Sequence, residues 1–173
     1  SSNDPSSRIN QFVGKLSKLT RNVLENSKHT TISLREELEN IQRFVDIENI
    51  RFQQRPIKFQ MTIDQNLNLE KLAIPPMILQ PSVENAIWHG LLPKESGVRE
   101  LQLEVKEITS GFLVQISDNG LGWKNKQPSQ EFEVNKTSIG LKNTIERLKM
   151  YEDMQLGKAS LKLEEKRDTE GQY

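Results

Sequence analysis

The stretch Phe112-Leu113-Val114-Gln115-Ile116-Ser117-Asp118-Asn119-Gly120-Leu121-Gly122 decides how this chain is read. Its apolar run predicts a buried strand that ends at a loop, and the loop begins with a carboxylate beside two glycines. An ionised Asp is acceptor-only, so Asp118 suits an exocyclic amine. Gly120 and Gly122 remove Cβ atoms and let a flat ring approach the backbone, a combination that fits adenine. The competing reading is a hairpin, because Asn-Gly favours a type I′ turn. A hairpin needs a second strand, and Trp123-Lys124-Asn125-Lys126-Gln127-Pro128-Ser129-Gln130 has no apolar alternation to supply one.

The totals set limits on what surrounds that loop. With 173 residues, 34% of them hydrophobic, and a mean hydropathy of -0.66, the chain fits one compact domain with an appendage rather than two full domains. Lys and Arg number 24 and Asp and Glu 24, so no bulk field draws the chain to nucleic acid or anionic lipid, and any phosphate site must be local. There is no cysteine, which excludes disulfides and thiolate metal sites and suits a reducing compartment. No run reaches membrane-span length and the polar start is no signal peptide, so this piece reads as soluble.

Upstream, Ile9, Phe12, Val13, Leu16, Leu19 and Val23 predict an amphipathic helix that frays near His29. Ser33-Leu34-Arg35-Glu36 has the capping-box form, and Leu34, Leu38, Ile41, Val45 and Ile50 continue a second helix that Gln53-Gln54-Arg55-Pro56 stops. The two helices read as a hairpin over 6–55 that docks on the following domain, on a second copy of itself, or on both; the alternative is a purely intramolecular helical layer. From Pro56 the pattern changes. Ile57, Phe59 and Met61 alternate with polar residues, which places a strand there and the start of a second region, 56–173.

Pro75-Pro76 breaks the chain before a helix from Met77 to His89, which Gly90 would end. Leu101, Leu103 and Val105 predict a strand that turns at Ser110-Gly111 into the run leading to Asp118. The segment from Trp123 to Thr137 is long and polar, the length at which loops are usually lids or disordered. Ile139, Leu141, Ile145, Leu148 and Tyr151 trace another helix, and Leu161 with Leu163 a last strand.

Several side chains in these elements suit chemistry, each with an ordinary alternative. Asn85 offers a carbonyl oxygen, a hard ligand for Mg²⁺, while Glu84 can act as a general base or orient a water; alternatively this is an ordinary helix with an exposed Glu and a cap-directed Asn. His89 can stack on a base or meet the helix dipole, and a structural role fits as well. His29 reads as a solvated loop residue, the alternative being a phosphoryl acceptor, for which histidine is a competent nucleophile. Ser138, Gly140 and Leu141 lead into a helix whose free N–H groups favour phosphate, although Ser138 can simply cap it. Asn143 and Arg147 stand four apart and can line one wall. Trp123, Lys124 and Lys126 can fold over a nucleotide or remain a solvated loop.

Together, in this order, these blocks resemble the GHKL ATPase superfamily and, within it, the LytS-type sensor histidine kinases. Leu79-Gln80-Pro81-Ser82-Val83-Glu84-Asn85-Ala86-Ile87-Trp88-His89-Gly90 is similar to that family's N box, Asp118 to Gly122 to its first glycine box, and Ile139-Gly140-Leu141-Lys142-Asn143 with Arg147-Leu148 to its second. The likeness extends upstream through Leu16-Ser17-Lys18-Leu19, Leu34 to Leu38 and Glu48-Asn49-Ile50-Arg51-Phe52 and covers nearly the whole chain. It implies an α+β fold, a Bergerat-type α/β sandwich with a mixed sheet and helices on one face, that binds ATP and Mg²⁺ under a lid. Asp118 would take the adenine amine, Asn85 the Mg²⁺, and the segment around Gly140 the phosphates. By the same resemblance a response regulator receives the phosphoryl group, and the first helices form a homodimer.

Four departures accompany the match. The family's phosphoryl-accepting histidine sits in a Pro-His-Phe-Leu-Phe-Asn motif that this sequence lacks, which puts the acceptor upstream of Ser1. Trp88 stands where the family usually has a basic residue, and Ser138 where it usually has glycine. Pro81 occupies the place of the catalytic Glu of gyrase-like relatives, which disfavours a hydrolase. The chain stops where the family usually adds another strand. The expectation is the kinase portion, on the cytoplasmic side, of a membrane-bound two-component sensor. The alternatives are a scaffold that binds nucleotide weakly or not at all, as Trp88 favours, and a serine kinase of the anti-sigma type, against which the two long leading helices argue.

Overall fold

The computed structural model describes residues 13–14, 17, 29–122, 139–158, 160 and 162. It is an α+β sandwich. Strand β1 (Ile32–Ser33) leads into helix α1 (Leu34–Arg51), followed by β2 (Ile57–Ile63) and β3 (Ala73–Ile74). Helix α2 (Gln80–Asn85) continues directly as a π-helix, π1 (Ala86–Leu91), before β4 (Arg99–Ile108), β5 (Gly111–Asp118) and α3 (Ile139–Asp153). Residues 13, 14 and 17 are helical; the rest of the expected first helix, the polar segment from Trp123 with its Lys124 and Lys126, and the last strand at Leu161 and Leu163 lie outside the described residues.

Helix α1 starts as its capping box predicts, with the Ser33 hydroxyl accepting the Glu36 N–H at 3.2 Å. Its stripe of Leu34, Leu38, Ile41, Phe44 and Val45 is buried in one cluster with Ile57, Val83, Ile87, Leu101 and Leu103. So this predicted helix docks on the region that follows it. Asn49 fastens the junction: its amide donates to the Ile57 carbonyl at 3.0 Å and its carbonyl accepts the Ile57 N–H at 2.7 Å. A backbone pair that would otherwise be orphaned at the buried start of β2 is thereby satisfied.

The three-stranded sheet has the order β2-β4-β5, with β2 parallel to β4 and β4 antiparallel to β5. A parallel pair requires a crossover, and residues 64–98 provide it, carrying α2 and π1 across one sheet face. Alternation assigns the faces: Leu101, Leu103 and Val105 are buried while Gln102 and Lys106 are exposed. Burying a side chain such as Leu101 contributes about 2 kcal/mol, so a one-residue slip of register would cost several such contributions at once. The sequence did not suggest β1 and β3, a two-residue antiparallel pair that joins the start of α1 to the chain before α2.

One expectation needs correction. Gly90 does not end its helix, which starts at Gln80 rather than Met77 and runs through Gly90 to Leu91 in π form, closed by a Leu92 N–H to Ile87 carbonyl bond at 2.8 Å. The reason is the core: Val83, Ile87 and Leu91 recur every four residues and are all fully buried. In an α-helix that spacing drifts about 40° per step, and the wider π turn takes up the drift. The competing hairpin reading of Asn119-Gly120, against which the sequence argued, is excluded here, because neither residue has the positive φ a type I′ turn demands. Instead Asn119 extends the β4–β5 ladder with its side chain, accepting the Glu100 N–H at 2.9 Å and donating to the Val98 carbonyl at 3.0 Å.

Candidate functional site

Asp118 is the last residue of β5, and its carboxylate lies against Gly90 of π1. A Cβ on Gly90 would stand 2.6 Å from Asp118 Oδ1, and one on Gly120 only 2.3 Å from the Gly90 carbonyl carbon. The Leu121 N–H then donates to the Gly90 carbonyl at 3.1 Å, so two backbones touch where the first glycine box meets the N box. The missing Cβ of Gly120 therefore serves a contact within the protein, whereas the sequence had suggested room for a ring. Gly122 has φ +69°, a left-handed conformation that side chains resist.

The Asp118 carboxylate is half committed. Its Oδ1 accepts the Gly120 N–H at 2.9 Å, and Oδ2 has no protein donor among the described residues. The residue reaches solvent on its outer side, yet packing around the carboxyl group pushes its pKa above 3.8; the Gly120 N–H and the Lys94 ammonium pull the other way and do not cancel this. Lys94 is held beside it, donating to the carbonyls of Val98 and Asn119 at 3.0 and 2.9 Å.

The other expected residues divide between two stripes of the N-box helix. Glu84 and Trp88 share the first with Gln80: the Gln80 amide donates to Glu84 Oε1 at 2.9 Å, and Trp88 meets Phe44 of α1 edge to face, centroids 6.1 Å apart. Asn85 and His89 share the second. Asn85 is half-buried and its amide makes no hydrogen bond within the described residues, which leaves a hard oxygen free; His89 is exposed. Gly140 and Leu141 lie in the first turn of α3, which packs against α2, and Asn143 is exposed on that helix. Arg147 does not face Asn143, because its guanidinium donates to the Pro76 carbonyl. Ser138 lies outside the described residues.

The structure thus joins the N box to Asp118, Gly120 and Leu121 on one side and to α3 on the other. Two open hollows lie elsewhere, one lined by His29, Ser33, Glu36 and Glu70, the other by Arg55, Ile57, Val98 and Arg99. No group of three or more His, Asp or Glu side chains suited to a metal occurs among the described residues, so a cation here would rely on Asn85 and on its own ligand partners.

Two groups escaped the sequence reading. Arg99 is buried at the start of β4, where it donates to the carbonyls of Arg55 and Leu92, while Arg55 ties the 94–97 turn through Lys94, Glu95 and Gly97. Glu37 is also buried, on α1. Burial raises its pKa above 4.5, against the lowering influence of the backbone N–H groups of Leu79, Met77, Gln80 and Ile78. A signal for it was available: Glu37 falls on the apolar stripe between Leu34, Leu38 and Ile41, where an acid requires donors.

The chain is thus a mixed sheet with a helical layer, in which an acid at a strand end lies against a glycine-bearing helix. Its first 56 residues match the family model described as Histidine kinase. Sensor protein LytS of Oceanobacillus iheyensis is 31% identical over 159 residues, covering 86% of this chain and 26% of that protein. Sensor protein LytS of Staphylococcus saprophyticus is 27% identical over 117 residues, covering 68% of this chain and 19% of that protein. A putative uncharacterized protein, YwpD, of Bacillus subtilis is 32% identical over 123 residues, 69% of this chain and 42% of its own length. The class is sensor histidine kinase. Within it the chain belongs to the LytS-type family, and it spans between 19% and 42% of the length of these three relatives.

Proposed function

We propose that this chain is the ATP-binding catalytic portion of a two-component sensor histidine kinase, with region 6–55 as dimerisation hairpin and 56–173 as nucleotide-binding domain. The carrying observation is the Asp118 carboxylate wedged against Gly90, with Oδ1 fixed by the Gly120 N–H and Oδ2 open. An oxygen pre-oriented in this way accepts a hydrogen bond from the purine amine with little further ordering to do. Asn85 fits a Mg²⁺ ion through its uncommitted amide oxygen, and Gly140, Leu141 and Asn143 at the start of α3, with Ser138 just before them in sequence, would take the phosphates through the N–H groups that the first turn of a helix leaves without intrahelical partners. Bound Mg²⁺ would supply charge stabilisation at the triphosphate. The chain's own contribution would be positioning: Glu84, which accepts from the Gln80 amide, is assigned the role of base or water-orienter, and His89 that of a neighbour of the adenine.

On this reading the γ-phosphoryl goes to a histidine upstream of Ser1 and then to a response regulator, and the protein reaches the membrane only through other parts of its chain. Among the described residues no helix is long and apolar enough to cross a membrane. Calorimetry with ATP, with and without Mg²⁺, on wild type and Asp118→Ala tests the proposal. Binding in the wild type that the variant abolishes is expected; negligible binding in both overturns it. One observation favours a second reading, a nucleotide-poor signalling scaffold: Trp88, 43% exposed, occupies the place of the family's basic residue and is engaged with Phe44.

A further inference from the structure

The turn before the N box is gripped from both sides. Glu37, 1% exposed on α1, receives the Met77 N–H on Oε2 at 2.9 Å and the Leu79 N–H on Oε1 at 3.0 Å. No side chain of the turn caps α2 itself, so the acid supplies from forty residues away what a local cap would supply. Met77 has φ +56°, a conformation costly for a side-chain-bearing residue and one that persists only when its surroundings enforce it. From the opposite side α3 reaches the same segment: Arg147 donates to the Pro76 carbonyl, and the Tyr151 hydroxyl to the Ala73 carbonyl at 3.0 Å. Residues 73–79 therefore form a strained link with α1 on one flank and α3 on the other, and α2 with Asn85 begins where it ends.

An acid is an expensive way to fill a buried position, since an apolar side chain of that size would fill it without desolvating a charge. What the carboxylate adds is direction, because two oxygens fix two N–H groups at once. We propose that Glu37 is a positioning residue for the nucleotide site: through the 73–79 turn it sets where Asn85 stands relative to α3, so that a shift of α1 is delivered to the N box. This rests on the kinase reading above. It gives α1 a mechanical route to the site that needs no contact between α1 and ATP.

Glu37→Gln keeps the volume and one acceptor but aims an NH₂ at the second N–H, which breaks one of the two bonds. Arg147→Met releases the turn from α3 at an exposed position. Asn49→Ala is the control, since it weakens α1 at β2 and leaves the turn alone. Each is compared with wild type by amide hydrogen exchange at 77–79, by thermal melting, and by ATP calorimetry at a temperature where all are folded. Both turn variants are expected to exchange faster at Met77 and Leu79 and to bind ATP about tenfold more weakly, while Asn49→Ala keeps wild-type affinity. Unchanged affinity in Glu37→Gln overturns the inference, as does an equal loss in Asn49→Ala. Should Glu37→Gln fail to fold, unchanged affinity in Arg147→Met overturns it alone. Wild-type protein that binds no ATP removes the kinase reading and this inference together, whereas wild-type binding with undiminished variants removes only the inference.

Discussion

Two glycines meet at one contact, and alanine at each should produce opposite signatures. On Gly120 the added Cβ would stand 2.3, 2.5 and 2.5 Å from the carbonyl carbon, Cα and oxygen of Gly90, all backbone atoms of a helix packed into the core. No rotamer change relieves that overlap, so either β5 or π1 must move. Overpacking of this kind costs about 1–3 kcal/mol, and backbone against backbone belongs at the upper end, about 3 kcal/mol. For a chain of this size each kcal/mol lowers Tm by about 2–4 °C, so Gly120→Ala should melt about 6–12 °C below wild type. On Gly90 the three nearest atoms, at 2.6, 3.2 and 3.6 Å, all belong to the Asp118 carboxyl group. That side chain can rotate away for about 0.5–1.5 kcal/mol, a Tm loss of a few degrees at most. The rotation takes the carboxylate off its position, so Gly90→Ala should lose ATP binding while remaining folded. Gly14→Ala, with nothing within 4 Å among the described residues, is the reference. Calorimetric melting and ATP titration of the three variants decide the matter. A Gly120→Ala protein within about 2 °C of wild type, or a Gly90→Ala protein that melts lower than Gly120→Ala, refutes the packing argument.

Asn49→Ala should lose about 2–4 kcal/mol in denaturant unfolding because it strands both polar groups of buried Ile57, and Asn49→Asp, which keeps the acceptor, about half of that. Phe44→Ala should cost about 3–5 kcal/mol and shift Trp88 emission to the red as the indole loses its edge contact. Glu37 has a pKa raised above 4.5, so the native state holds its proton more tightly than the unfolded chain does. The stability linked to it is complete below that value and is lost as pH rises through the raised one. Wild-type Tm should accordingly fall relative to Glu37→Gln as pH climbs from 4.5, and a difference that grows in the opposite direction would reverse the assignment. Asp118, also raised, contributes with the same sign, and the comparison is best repeated in an Asp118→Asn background.

Much of the architecture was legible because its signals are local. The Ser33 capping box, the alternation of Ile57, Phe59 and Met61 against that of Leu101, Leu103 and Val105, and the strand ending at Asp118 all depend on neighbours in sequence. Gly90 misled, since a glycine after a helical run is ordinarily a stop, and only the demand that Val83, Ile87 and Leu91 share one buried face explains why the helix continues as π. Gly120 misled too: its bareness was legible, but its neighbour was another backbone, thirty residues away.

What the sequence by itself determined is therefore the class of the longer elements, α1, β2, β4, β5 and α3, and the order of the three motif blocks. Periodicity and caps act within one turn or one strand, and the blocks are written contiguously. What only the tertiary structure decided is which groups meet: Asp118 with Gly90, Trp88 with Phe44, Arg147 with Pro76, and Glu37 with the amides of Met77 and Leu79. Those partners are separated by 28 to 71 positions, and the core-driven packing of α1, α2 and α3 around the sheet selects them, a collective outcome that no local window contains.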